Sequence, residues 1–207
     1  MLALHVTVPV ACWRKGHARE LLETEPVPSP AMCYGALLSL VGETDRERHC
    51  GVRVSGGVIG APPRSTVVRT LWRVKSRSSP PGVGDNAKPD LQHLLTRCDV
   101  MMWLDSGEDR GRHTLEDRIR RAFEHPGELA RFGGWSLGES SHLINDAWLL
   151  RDGAPPSACT AFLVEAGGAL TLPVWVDHVG TAGTRHAVGA LRLLREAPCR
   201  SRLPIIG

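Results

Sequence analysis

The sequence predicts an α+β domain built on a ferredoxin-like core. Three observations point there. Strand and helix patterns follow one another as strand–helix–strand, then strand–helix–strand with extra hairpins. The 22 Gly and 15 Pro among 207 residues are too many for a helical bundle and suit a strand-and-loop fold with tight turns. A composition 42% hydrophobic and 23% charged supplies a core and excludes disorder on compositional grounds. The length fits a single domain over residues 1–207, with room for one sizeable insertion.

The first strand is read from Leu2, Leu4, Val6 and Val8, which alternate with Ala3, His5 and Thr7 and share one apolar face. It runs into Pro9 and a basic loop, Cys12-Trp13-Arg14-Lys15-Gly16. Ser29 as N-cap, Pro30 at the first helical position and Gly42 just past the end punctuate a helix, with Met32, Ala36, Leu37, Leu40 and Val41 as its buried stripe. Gly51 to Gly60 reads as a glycine-interrupted strand and Thr66 to Lys75 as a clearer one. In the latter, Val68, Trp72 and Val74 share a face while Arg69, Arg73 and Lys75 share the other. Ser76 to Pro89 is turn-rich and polar, the expected flexible element, and Arg97 to Leu104 is a further strand. Thr114 and Asp117 form a capping box for a helix carrying Leu115, Ile119, Ala122 and Phe123, which stops at Pro126-Gly127. Leu143 to Leu150, Ala158 to Glu165 and Ala169 to Asp177 complete the strands, the last two joined by a hairpin turn at Gly167-Gly168. Val188 to Leu194 fits either strand or helix.

Charge is distributed unevenly. The total is only +3, which argues against a bulk polycation. Residues 61–88, however, hold six basic side chains (Arg64, Arg69, Arg73, Lys75, Arg77, Lys88) against one acid (Asp85), net +5. A row of cations about 7 Å apart along one strand face can follow a phosphate backbone; an exposed edge strand kept soluble by charge has the same pattern. The loop Trp13-Arg14-Lys15-Gly16-His17 offers a stacking ring and two cations, and an ordinary surface loop fits it equally. The Gly/Ser-rich loop Gly133 to Ser141 can cradle an anion with backbone N–H groups or be a plain turn; it lacks phosphate-loop spacing, as does Gly56 to Gly60.

Other chemistry has little support. Ser140, His142 and Asp146 could be grouped as a triad, but no GxSxG elbow or HExxH motif anchors one. The cysteines at 12, 33, 50, 98, 159 and 199 show no CxxC pairing, so reduced thiols, a cytoplasmic location and no metal or other cofactor are expected. His49-Cys50 is a weak zinc candidate. Ala31 to Val41 is too short to span a bilayer, and the amino terminus does not read as a signal peptide.

In order along the chain, ALHVTVPVACWRKG, PSPAMCYGALLSL at 28–40, PPRSTVVR at 62–69, WSLGES at 135–140 and LTLPVWVDHVGT at 170–181 resemble the Cas-five family of CRISPR-associated RAMP proteins, the Cascade subunit that caps the 5′ handle of the guide RNA. The last segment is most similar to the myxobacterial-type branch. The resemblance implies an RRM-related RAMP domain with a protruding β-hairpin thumb, here at about 61–90. It implies contacts with guide RNA and with the backbone and large subunits, and with target DNA indirectly. Carried onto this sequence, Arg64, Arg69, Arg73 and Lys75 would neutralise handle phosphates, with Thr66 beside them. Arg14 and Lys15 would hold the terminal nucleotides, backbone N–H groups near Gly138 and Ser140 would position them, and Trp13 would stack a base. Some members cleave precursor RNA with a Tyr, Lys and His site. The sole tyrosine, Tyr34, sits on the buried opening turn of the first helix, a poor place for a general base. A non-catalytic RNA-binding subunit is therefore expected, the alternative being a metal-independent endoribonuclease.

Overall fold

The computed structural model describes residues 1–16, 21–72 and 74–207. Among these residues the chain forms one nine-stranded sheet and two α-helices. The strands are β1 (Leu2–Ala11), β2 (Leu21–Leu22), β3 (Arg53–Ile59), β4 (Arg64–Trp72), β5 (Ala87–Asp105), β6 (Asp146–Leu150), β7 (Cys159–Val164), β8 (Leu170–Trp175) and β9 (Arg185–Leu194), and the helices α1 (Pro30–Leu40) and α2 (Leu115–Glu124). The order is β6-β1-β5-β3-β7-β9-β8, antiparallel at every step. β4 and β2 attach separately to β5, the latter in parallel.

Local chemistry sets the helices. The Ser29 hydroxyl accepts from the Met32 amide at 3.3 Å, Pro30 stands in the first turn, and Gly42 takes φ +66° past the Val41 cap. α1 is buried almost all round, at Cys33, Tyr34, Ala36, Leu37, Leu38 and Leu40, with the expected Met32 only half-buried. The capping box of α2 is present in both directions, with amide-to-oxygen distances of 3.2 and 3.3 Å.

Alternation then builds the core. Leu4, Val6 and Val8 of β1, Val54 and Val58 of β3 and Val100, Met102 and Leu104 of β5 face α1 and α2 in the main cluster; each such side chain contributes about 1.5–3 kcal/mol by leaving water. Gly56 makes this packing possible: a β-carbon there would lie 2.7 Å from the Cys33 sulfur and 2.8 Å from Pro28. On the other sheet face Ala3, Met101, Trp103, Ala161 and Leu163 form a smaller cluster with Leu203, and the tail pairs along β3 through Arg53 and Ile205.

The strand pairing departs from expectation in two places. β7 and β8 do not form a hairpin: β9 pairs antiparallel with both, along Gly189–Leu194 for β7 and Arg185–Gly189 for β8. The Gly167-Gly168 turn exists, with Gly168 N–H donating to Glu165 O at 3.0 Å, but a return strand must find a free edge, and β9 takes it. The ambiguous tail segment is thereby strand. The strand after the polar loop begins at Ala87 rather than Arg97, because its first half pairs with β4 and only its second half enters the core sheet. Between the halves Pro9, which has no amide hydrogen to donate, stands opposite Arg97, whose φ is +53°.

Candidate nucleic-acid interface

The loop after β1 folds back on residues 23–25. Trp13 N–H donates to Thr24 Oγ1 at 3.0 Å, Lys15 N–H to Glu23 O at 2.9 Å and Glu25 N–H to Trp13 O at 2.7 Å. This pairing alternates its side chains, sending Trp13 inward and leaving Arg14 and Lys15 exposed. Trp13 is 0% exposed and belongs to the main core. It has no open face for a base, which corrects its assignment as a stacking platform. His17 lies outside the described residues.

β4 and the first half of β5 form a ribbon, in unbroken register from Arg64 opposite Leu95 to Trp72 opposite Ala87, with the short β2 on the other edge of β5 at Leu91 and Gln92. Alternation places Val67, Arg69 and Leu71 on one face with Asp90 and Gln92, and Arg64, Thr66, Val68 and Trp72 on the other with His93 and Leu91. The apolar side is the open one: Trp72 is 75% exposed, and Val68 is exposed beside it. The Arg69 side is half-buried. The strand ends at Trp72, earlier than read from the sequence; Lys75 and Arg77 lie beyond it, exposed, and Arg73 lies outside the described residues.

Arg69 turns toward the Ser136–Ser141 segment. Its Nη1 donates to Gln92 Oε1 at 2.6 Å and lies 3.5 Å from Glu139 Oε2. From the other side Arg14 Nε lies 3.3 Å from Glu139 Oε1, which also accepts from Gln92 Nε2 at 3.0 Å. One carboxylate thus holds two guanidiniums from two separate elements. Ion pairs this exposed contribute only about 0–1 kcal/mol, so an arriving phosphate can take over donors that Glu139 now holds.

The loop carrying Glu139 is itself fixed. Leu137 N–H donates to His142 O at 3.1 Å and His142 N–H to Glu139 O at 2.9 Å. Gly138 takes φ +106°, and a β-carbon there would lie 3.0 Å from Cys12 O, so a side chain would separate the two loops. Cys12 N–H donates to His142 Nδ1 at 3.2 Å, which leaves the proton of the neutral ring on Nε2. Burial pushes the His142 pKa down, and it pushes the neighbouring Cys12 thiol up. His142 is thus a structural acceptor locking two loops, not the base of a triad with Ser140 and Asp146. Asp90, across from Arg69, is 2% exposed, and neither of its carboxylate oxygens has a hydrogen-bond partner among the described residues.

The structure therefore brings together Arg14, Arg69, Gly138 and Ser140, with Lys15 adjoining in sequence. Arg64 and Thr66 lie on the opposite ribbon face and Lys75 at the far end. Glu139 and Gln92 were missed as site residues. Glu139 stood in the quoted Ser-Leu-Gly-Glu-Ser motif, whereas Gln92 becomes visible only through the ribbon's register. Among the described residues no His/Cys/Asp/Glu group could hold a metal ion, His49 and Cys50 included. No helix among them is long and apolar enough to cross a membrane.

A protein of Myxococcus xanthus named "CRISPR-associated protein Cas5" is 60% identical over 208 residues, spanning 100% of this chain and 97% of that protein. The chain belongs to the Cas5 family. No family model matches it. Two solved structures share the fold of this Cas5 chain at low sequence identity. A chain of a "CRISPR RNA-guided surveillance complex" aligns at TM-score 0.61 and 14% identity over 100% of this chain and 94% of its own. A "Crystal structure of Cas protein" aligns at TM-score 0.52 and 15% identity over 99% and 97%. Among its described residues this Cas5 chain is a mostly antiparallel sheet with two α-helices.

Proposed function

We propose that this Cas5 protein is a non-catalytic subunit of a type I CRISPR Cascade complex, binding the 5′ handle of the guide RNA. In this reading it contacts the large and backbone subunits in the cytoplasm and supports RNA-guided DNA targeting. Membership of the Cas5 family and likeness to a chain of a surveillance complex support a place in such an assembly. The strand order β6-β1-β5-β3, connected strand–helix–strand–strand–helix–strand, supports a ferredoxin-like RAMP domain, and the β4–β5 ribbon is its thumb.

The observation that carries the RNA assignment is the convergence of Arg14 and Arg69 on Glu139 at the ribbon's root. Two planar guanidiniums held in place lose less freedom on meeting phosphates than two free side chains. The absence of cleavage chemistry is argued from Tyr34. It is buried, its hydroxyl donates to Arg46 O at 2.7 Å, and burial raises its pKa, so the phenol is ill-suited as a base. The test is to co-express the chain with repeat RNA and read absorbance at 260 and 280 nm, then incubate the purified protein with precursor RNA in EDTA. Co-purifying RNA that stays uncut is the expected result. Specific cleavage lost in Tyr34→Phe would establish the endoribonuclease instead, and protein free of nucleic acid would remove the RNA assignment.

A further inference from the structure

A cleft of about 530 Å³ lies between α1 and β8 and reaches the root of the ribbon through Arg14 and Gly138. Its lining contains Arg14, Arg46 and His178 and no carboxylate. Arg46 is fixed there: its guanidinium carbon sits 4.6 Å from the centre of the Trp175 ring, and its Nη2 donates to Val176 O at 2.9 Å. A lining that combines these cations with mostly apolar side chains complements an anionic group attached to a planar ring.

A second observation comes from α1. Gly35 stands in the helix interior and is exposed into this cleft. Glycine weakens a helix there relative to alanine, and the protein's own packing gives no reason for it, since a β-carbon at 35 would meet no atom within 4 Å. The space a methyl would occupy is space in the cleft. A mid-helix glycine that no neighbouring atom requires is accounted for by a ligand that comes close to the helix backbone.

We infer that this cleft takes one unstacked nucleotide of the bound RNA, its phosphate between Arg14 and Arg46 and its base against α1 at Gly35. The inference rests on the RNA-binding reading above and adds Arg46, Trp175 and Gly35 to the surface that reading uses. Arg46 and Trp175 form a preset pair here, because the ring and Val176 O hold the guanidinium in place while its remaining N–H groups stay available for phosphate oxygens.

The experiment uses the purified full chain and a 3′-labelled single-stranded RNA of the array's own repeat sequence, intact or with one abasic residue moved along its 5′ part. Binding is read by anisotropy and folding by thermal melting. Wild type is expected to lose about tenfold in affinity at one abasic position, the scale of a lost stacking contact. Gly35→Leu and Arg46→Ala should lose a similar factor on intact RNA and nothing further on that abasic RNA. Gly35→Ala should melt higher than wild type and yet bind intact RNA more weakly, a combination that a structural role for Gly35 does not produce. RNA binding by wild type with equal affinity in all three variants overturns the cleft while leaving the proposed function standing. A wild type that binds no RNA removes both. A free mononucleotide (AMP, GMP, CMP or UMP) that binds saturably and is lost in Arg46→Ala, with RNA affinity unchanged, overturns the assignment to RNA.

Discussion

At the root of the ribbon, cations are held; at its tip, they are displayed. Arg69 and Arg14 share Glu139, with Gln92 between them. Lys75 and Arg77, near the tip, are exposed, and the order there comes from an amide instead. Asn86 is buried; its Oδ1 accepts from the Lys75 and Ser76 amides at 2.7 and 2.8 Å, and its Nδ2 donates to the carbonyls of Ser76, Ser79 and Pro80. The polar loop expected to be flexible is thus pinned by one side chain. Counting charge weights the two ends alike, but positioning separates them. A guanidinium already held in place gives specific geometry to a phosphate, whereas an exposed cation on a turn supplies mainly long-range attraction, which salt screens.

The comparison breaks most visibly at Gly138. Gly138→Val should cost about 1–3 kcal/mol through its positive φ and the approach to Cys12 O. It should also weaken RNA binding, by no more than removal of both arginines would, because Arg14 and Arg69 lose their common partner. Melting and anisotropy on the same samples check both halves. Next in size, Arg69→Ala should weaken RNA binding roughly tenfold or more, on the scale of a lost charge-assisted hydrogen bond. Lys75→Ala should weaken it only about threefold, and equal losses would erase the distinction between root and tip. Asn86→Ala should act locally, since the donors and acceptors it leaves are confined to residues 75–80. Faster amide exchange or proteolysis at the tip, with little change in global Tm, is the expected outcome.

The smallest effect is on pH. His142 is buried neutral with its pKa below the ordinary value of 6.5, so the unfolded chain takes up a proton more readily. Its contribution to stability is full above about pH 6.5 and is lost as pH falls from there toward the folded pKa. His142→Gln should flatten that part of a Tm-against-pH curve, and an unchanged slope would remove His142 as its source.

The fold was legible where local chemistry dictates it. Ser29, Pro30 and Gly42 bound α1, Thr114 and Asp117 open α2, and alternation in β1 marks the core face. What stayed hidden depends on pairing across distance. Nothing near Gly167 says that β9 separates β7 from β8, and nothing near Arg97 says that the strand already runs back to Ala87. At the candidate site, the net charge of 61–88 and the Ser-Leu-Gly-Glu-Ser segment pointed to two elements that the structure brings together through Arg69 and Glu139. Trp13 misled because an aromatic beside two cations reads as a surface platform, whereas the backbone pairing of 13–15 with 23–25 turns it into the core. Trp72, read as one member of an apolar strand face, turned out to stand on the open side because the half-buried face is the one that carries Arg69 against Glu139.

The most direct test of the central claim is the salt dependence of RNA affinity for wild type and for the Arg14→Ala/Arg69→Ala double variant. If the two arginines meet phosphates at the root of the ribbon, the slope of log K against log salt should become shallower by about 1.4, roughly 0.7 for each lost contact with a single strand. An unchanged slope and affinity would contradict it.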